Sequence, residues 1–164
     1  MGLLCHFHGV NFMICFLDFD GVLHPSDALP SDVFTRVFRF ERLLRDYPEV
    51  RIVISSDWRL GATLDELREN FSMDMRTRII GMTPFIADHD VTVGHRQLEI
   101  ESWLVMNNQQ NAPWIALDDI EQNFLPGAPL ILCETPFGEA QEIALLRWIK
   151  SQLNLQEESL MPRI

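Results

Sequence analysis

The sequence predicts an α/β fold in which a mostly parallel central sheet carries helices on both faces. Two observations predict it. Short apolar runs at 14–17, 51–56, 114–117 and 130–133 have the length of buried strands and stop at polar or turn-forming residues. Between them lie stretches whose apolar residues recur at helical spacing, so strands and helices alternate along the chain. Strand–helix–strand units of this kind pack side by side in one parallel sheet. The expected architecture is a three-layer, Rossmann-like sandwich.

Residues 1–12 are mildly apolar and carry Cys5-His6-Phe7-His8. Neighbouring Cys and His can hold a metal, but no second cluster completes a tetrahedral shell, so an N-terminal extension forming an edge strand or ordered tail is expected. The first buried strand, Ile14-Cys15-Phe16-Leu17, runs into Asp18-Phe19-Asp20-Gly21. The loop 24–32 is rich in turn formers, and Ser31 or Asp32 is expected to cap a helix over 33–46. Val37, Phe40, Leu43 and Leu44 form its buried stripe, while Arg36, Arg39 and Arg42 form a solvated face. Tyr47-Pro48-Glu49 ends it.

The second strand, 51–56, closes in Ser55-Ser56 and leads into Asp57-Trp58-Arg59. Thr63 opens a helix carrying Leu64, Leu67 and Phe71, and 78–84 reads as a short strand. A polar loop around His89 precedes a helix from Arg96 through Leu98, Ile100, Trp103, Leu104 and Val105, with Trp103 a core residue. The strand 114–117 ends in Asp118-Asp119, and 130–133 is a further strand. A final amphipathic helix over 139–153 offers Ile143, Leu146, Trp148 and Ile149 to the core, and 155–164 reads as a frayed tail.

Composition narrows the function. The chain has 164 residues, 47% of them hydrophobic, which suits a single domain with one core over 1–164. Thirteen basic residues against 24 acidic ones give a net charge of −11. That charge repels polyanions at long range and disfavours nucleic acid as a partner, although a local basic pocket escapes the argument. Cys5, Cys15 and Cys133 form no disulfide framework, and Cys15 and Cys133 read as buried thiols in a reducing, cytoplasmic setting. No apolar run is long enough to span a bilayer, and residues 1–12 lack the basic start and cleavage site of a signal peptide. No membrane partner is expected.

Three strands thus end in polar groups. Side chains alternate along a strand, so Asp18 and Asp20 point one way and Phe19 the other. Carboxylates this close repel unless a cation or a shared proton lies between them. The carboxyl end of a central strand is also where ligands bind an open α/β sheet. These groups answer the needs of phosphate-ester hydrolysis. One aspartate can attack phosphorus, and a second carboxyl can protonate the leaving oxygen and later deprotonate water. Mg2+ held by carboxylates can neutralise phosphoryl charge, and a hydroxyl with a cationic side chain can hold the remaining oxygens.

Asp18-Phe19-Asp20-Gly21-Val22 resembles the first, DxDG motif of the haloacid dehalogenase superfamily. Ser55 is similar to the hydroxyl of its second motif, with Ser56 as the neighbouring alternative, and Leu117-Asp118-Asp119 resembles the acidic fourth motif. Arg96, opening the helix before that strand, fits the lone cation of the third. The resemblance spans about 12–153, because the motifs fall in order at strand ends. It implies a phosphatase in which Asp18 is the nucleophile, Asp20 the general acid/base, Ser55 the phosphoryl-binding hydroxyl and Arg96 the catalytic cation. It implies Mg2+ held by Asp18, Asp20 (through its carbonyl) and Asp118, with Asp119 either a second such ligand or in the outer shell. Ser55, Ser56, Arg59 and Arg96 are the candidate substrate contacts. Arg59 has two readings: a second phosphate contact, or an arginine packed on Trp58 or paired with Asp57.

The strings 55–59 and 96–104 are similar to small capless members of the superfamily, some related to phosphatase modules of RNA-repair proteins. The gaps between motifs hold no cap domain, which implies an open site suited to a phosphorylated macromolecule. His24, Asp27 and His89 are read as ordinary surface residues near its entrance. Two other functions fit the same motifs: a regulatory phosphate-binding module without turnover, and a phosphotransferase.

Overall fold

A computed structural model describes residues 12–87 and 92–160. The Cys5–His8 stretch and His89 lie outside the described residues. Five strands form one sheet: β1 Met13–Leu17, β2 Val50–Ile54, β3 Ile79–Met82, β4 Trp114–Asp118 and β5 Leu130–Leu132. Their order is β3-β2-β1-β4-β5, and every pairing is parallel, where the sequence predicted a mostly parallel sheet. Strands covered on both faces cannot alternate apolar with polar residues, which is why they read as unbroken apolar runs.

Among the described residues the α-helices are α1 Val37–Arg45, α2 Leu64–Arg68, α3 Met73–Arg76, α4 His95–Met106 and α5 Glu139–Leu160. Met13, Cys15 and Leu17 face a core completed by Phe40 and Leu44 of α1, Leu67 of α2, Met75 of α3, and Leu145 and Ile149 of α5. Ile14 and Phe16 turn to the other face, toward Ile100, Trp103 and Leu104 of α4. There Phe16 meets Trp103 and Trp114 edge-on, with ring centroids 5.7 and 5.8 Å apart. The result is a three-layer sandwich without a large cap. Among the described residues, no helix is long and apolar enough to cross a membrane.

Four expectations are corrected. The helix expected from 33 begins at Val37, and neither Ser31 nor Asp32 caps it. Phe34 lies at φ 61, in the left-handed region, and interrupts any helix there. The helix from Thr63 starts with the expected cap, a reciprocal capping box with Glu66, but breaks after Arg68. Glu41 of α1 accepts from the Ser72 backbone N–H (2.7 Å) and hydroxyl (2.6 Å), and so pins a fresh helix start.

In the last helix Ile149 is buried as expected and Leu146 and Trp148 pack partly buried against the core, while Ile143 is exposed and Leu145 is fully buried instead. That helix also continues through Leu160 where a frayed tail was expected. On α4, Val105 is exposed and Trp103 is core, as read.

Candidate active site

Strand register assembles the site. Leu17 of β1 pairs with Ile54 of β2 and Leu117 of β4, and Ile54 pairs with Met82 of β3. One residue further on, Asp118, Asp18, Ser55 and Thr83 come level at the carboxyl ends of four adjacent strands. Backbone bonds hold them there: Asp18 N–H to Leu117 O (3.0 Å), Ser55 N–H to Leu17 O (2.9 Å) and Thr83 N–H to Ile54 O (2.9 Å). Chain connections leave β1 toward β2 on one side and reach β4 on the other, so Asp18 and Asp118 flank the switch point of the sheet.

Asp18, Asp118 and Asp119 bring carboxylate oxygens within 4.8 Å of one another. Gly21 permits this, since at φ +72 its missing Cβ would fall 2.1 Å from Asp119 Oδ2. Asp118 Oδ1 accepts from the Ile120 N–H at 2.9 Å and from Asn123 at 3.4 Å. Its Oδ2 is buried without a hydrogen bond, as is Arg96 Nε, 3.6 Å away. An orphaned carboxylate oxygen among hard oxygen donors fits Mg2+.

Electrostatics show the strain of this packing. Burial, and then the Asp118 charge, push the Asp18 carboxyl up to about 7, against the pull of Arg96, the Phe19 N–H and the Ser56 hydroxyl. Burial raises Asp118 to about 6, and burial also raises Asp119, where Asp20 adds like-charge repulsion. A cation relieves all three at once.

Asp20 stands apart from that group. Its carboxylate is 47% exposed, and each oxygen takes one bond: His24 Nε2 lies 2.9 Å from Oδ1, and Trp58 Nε1 donates to Oδ2 at 2.9 Å. His24 is therefore corrected from a surface residue to a buried one, 2% exposed, while Asp27 is exposed as read. His24 belonged to no motif, and Trp58 lay in the string 55–59 with no role given to it. The signal available for His24 was its position four residues beyond Asp20, across a glycine turn.

The serines and arginines divide. Ser55 and Ser56 are both buried, Ser55 level with Asp18 and Ser56 with its hydroxyl turned to the Asp18 anion. Arg59 does not reach the carboxylate cluster. Its Nε donates to Thr83 O, its Nη1 to Ser55 O, Ser56 O and Asp57, and its Nη2 to Pro84 O and Glu99 Oε2 (2.6 Å). Every donor is taken, so the reading of Arg59 as a phosphate contact gives way to the ion pair with Asp57, extended to Glu99. Arg96 does reach the cluster. Its Nη groups bond Glu99 and Asp57, and its Nε faces Asp118.

A family model for the HAD domain in Swiss Army Knife RNA repair proteins matches residues 14–138, from β1 past β5 to the edge of α5. Neither a curated protein nor a solved structure matches the chain.

Proposed function

This chain belongs to the HAD domain family of Swiss Army Knife RNA repair proteins, and from that premise we propose that it is a magnesium-dependent phosphomonoesterase working through an aspartyl-phosphate on Asp18. The observation that carries the reading is the convergence of Asp18, Asp118 and Asp119 beside Arg96, with Asp20 a short turn away.

Asp18 attacks phosphorus from the end of β1, where Arg96 and the Phe19 N–H (2.8 Å) favour its anion. Asp20, outside the cluster and partly exposed, gives a proton to the leaving oxygen and later takes one from water. The Ser55 hydroxyl, level with Asp18, holds a phosphoryl oxygen, with Ser56 next to it. Arg96 supplies a fixed positive charge. Held by Asp18, Asp118 and Asp119, with the Asp20 carbonyl as a further ligand, Mg2+ would neutralise the charge of the phosphoryl oxygens.

The substrate is a phosphate group that an uncapped site can reach on a large molecule. An RNA end is one such substrate, in keeping with the family's repair setting, and the net charge of −11 weighs against it. Free, buried Cys15 and Cys133 are in keeping with the cytoplasm.

The test is hydrolysis of nitrophenyl phosphate with and without Mg2+, in wild type and Asp18→Asn. Magnesium-dependent turnover abolished by the substitution is the expected result. Phosphate binding without turnover of aryl phosphate, phosphopeptide or phosphorylated oligonucleotide would replace the enzyme with a regulatory module.

A further inference from the structure

We propose that His24 and Trp58 are positioning residues that fix the Asp20 carboxyl as proton donor to the leaving-group oxygen, an inference that rests on the phosphomonoesterase reading above. The two oxygens of Asp20 are held from opposite sides by donors on different loops. His24 Nε2 lies 2.9 Å from Oδ1, in the turn after β1, and Trp58 Nε1 donates to Oδ2 at 2.9 Å from the short helical turn Asp57–Leu60 after β2. A short carboxylate on a partly exposed turn would otherwise sample several rotamers. Two bonds fix both of its torsions and leave the outward lone pairs free for the transferable proton.

The tautomer of His24 is set by the backbone. The Phe34 N–H donates to His24 Nδ1 at 3.3 Å, so Nδ1 carries the lone pair and the proton sits on Nε2, toward Asp20. Phe34 delivers that N–H from φ 61, a conformation that a bulky residue adopts only when its surroundings impose it. The surroundings are aromatic. Phe34 meets Phe19, His24 and Trp58 edge-on at 5.2, 5.2 and 5.1 Å between ring centroids, and His24 meets Trp58 at 5.8 Å. Four rings brace one another behind one carboxylate.

The chemistry follows. A bond forms between an Asp18 oxygen and phosphorus as the bond from phosphorus to the leaving oxygen breaks, and the Asp20 proton passes to that oxygen. Asp20 is left as a carboxylate, and the His24 and Trp58 N–H groups already face it. In the second half-reaction Asp20 takes a proton from the attacking water, and the phosphate leaves Asp18.

Leaving-group dependence separates positioning from mere packing, since a nitrophenolate departs without a proton and an alkoxide does not. In His24→Asn and Trp58→Phe, kcat/KM for an alkyl phosphate is expected to fall about 10-fold or more, against less than about twofold for nitrophenyl phosphate. His24→Gln, whose amide nitrogen reaches the Nε2 position, recovers the alkyl rate to within about threefold, and Asn does not. Equal loss on both esters, no loss on either, or Gln no better than Asn overturns the proposal.

Nitrogen-edited NMR reads the clamp without turnover. The His24 proton should appear on Nε2, and it and the Trp58 indole proton should both shift in Asp20→Ala. If wild type hydrolyses neither these esters nor a phosphopeptide or phosphorylated oligonucleotide, the phosphomonoesterase reading fails, and the spectra alone decide the clamp. Signals that ignore Asp20→Ala overturn it, and signals that respond uphold it.

Discussion

Stripped of divalent cations, the protein should lose stability as pH rises from about 4 to about 7, the reverse of ordinary acid denaturation. Asp18 is pushed up to about 7 by burial and by Asp118, and Asp118 to about 6 by burial, well above the ordinary aspartate range. In this window the folded protein binds more protons than the unfolded chain, so the slope of unfolding free energy with pH is negative. The favourable contribution is whole below about 4 and lost as pH passes through about 7. At roughly 1.4 kcal/mol per unit, Asp18 alone is worth on the order of 4 kcal/mol, and because its repulsion is shared with Asp118 the pair adds less than the sum. The lowered carboxyls, Asp57, Glu66, Asp74 and Glu142, act in the opposite direction but below that window.

On the proposed function Mg2+ binds the folded cluster and not the unfolded chain, so at about 100 times its Kd it should return roughly 2.7 kcal/mol, most fully at the upper end of the range where protons do not compete. Urea midpoints in EDTA and in Mg2+ across the range measure both effects, with the m-value held as a check on two-state behaviour. Asp118→Asn should flatten the slope, stabilise the cation-free protein at high pH and abolish the gain from Mg2+. Stability in EDTA that is level or rising with pH, with no gain from Mg2+, refutes the electrostatic account of the cluster.

Arg59→Lys should lower stability by about 3–5 kcal/mol in urea titration, because one ammonium cannot satisfy the acceptors around Arg59 and leaves buried Glu99 poorly paired. A variant of wild-type stability with a KM raised tenfold or more would instead make Arg59 a substrate contact. Gly21→Ala combines a left-handed φ with a Cβ 2.1 Å from Asp119, so about 2–4 kcal/mol of stability and most Mg2+ binding should go. Calorimetric titration with Mg2+ checks the second part, and unchanged affinity would show that Asp119 is not a ligand. Glu142→Gln, which trims exposed pairs with Arg39 and Arg42, should cost less than about 1 kcal/mol by thermal melting.

The strands and the carboxylate cluster were legible because each is a local signal. An unbroken apolar run names a doubly covered strand, and the polar residue ending it lands at the ligand-binding edge whatever the loops do. What stayed hidden depends on backbone conformations or distant partners. The late start of α1 turns on φ 61 at Phe34, which no aromatic residue announces. His24 reaches Asp20 only because Gly21 turns tightly and Phe34 turns back upon it. Arg59 reads as a phosphate ligand until Glu99, forty positions on, is seen to occupy it. In α5, Ile143 and Leu145 satisfy similar helical spacings, and only packing against β5 chooses between them.

The ions beyond the cluster, all buried but Asp57, form a relay of alternating charge. Arg59 holds Glu99 and Asp57, and these same two carboxylates hold the Nη groups of Arg96. One bond from each Nη group sets the guanidinium so that its Nε faces Asp118. Its charge is thereby fixed in place before any ligand arrives, which is the condition for electrostatic stabilisation without reorganisation. Three carboxylates at the end of a sheet would otherwise repel one another and loosen the strands that carry them. One cation anchored by the scaffold offsets part of that repulsion, and the remainder is what a bound Mg2+ would relieve, so the same geometry that strains the carboxylates favours a metal among them.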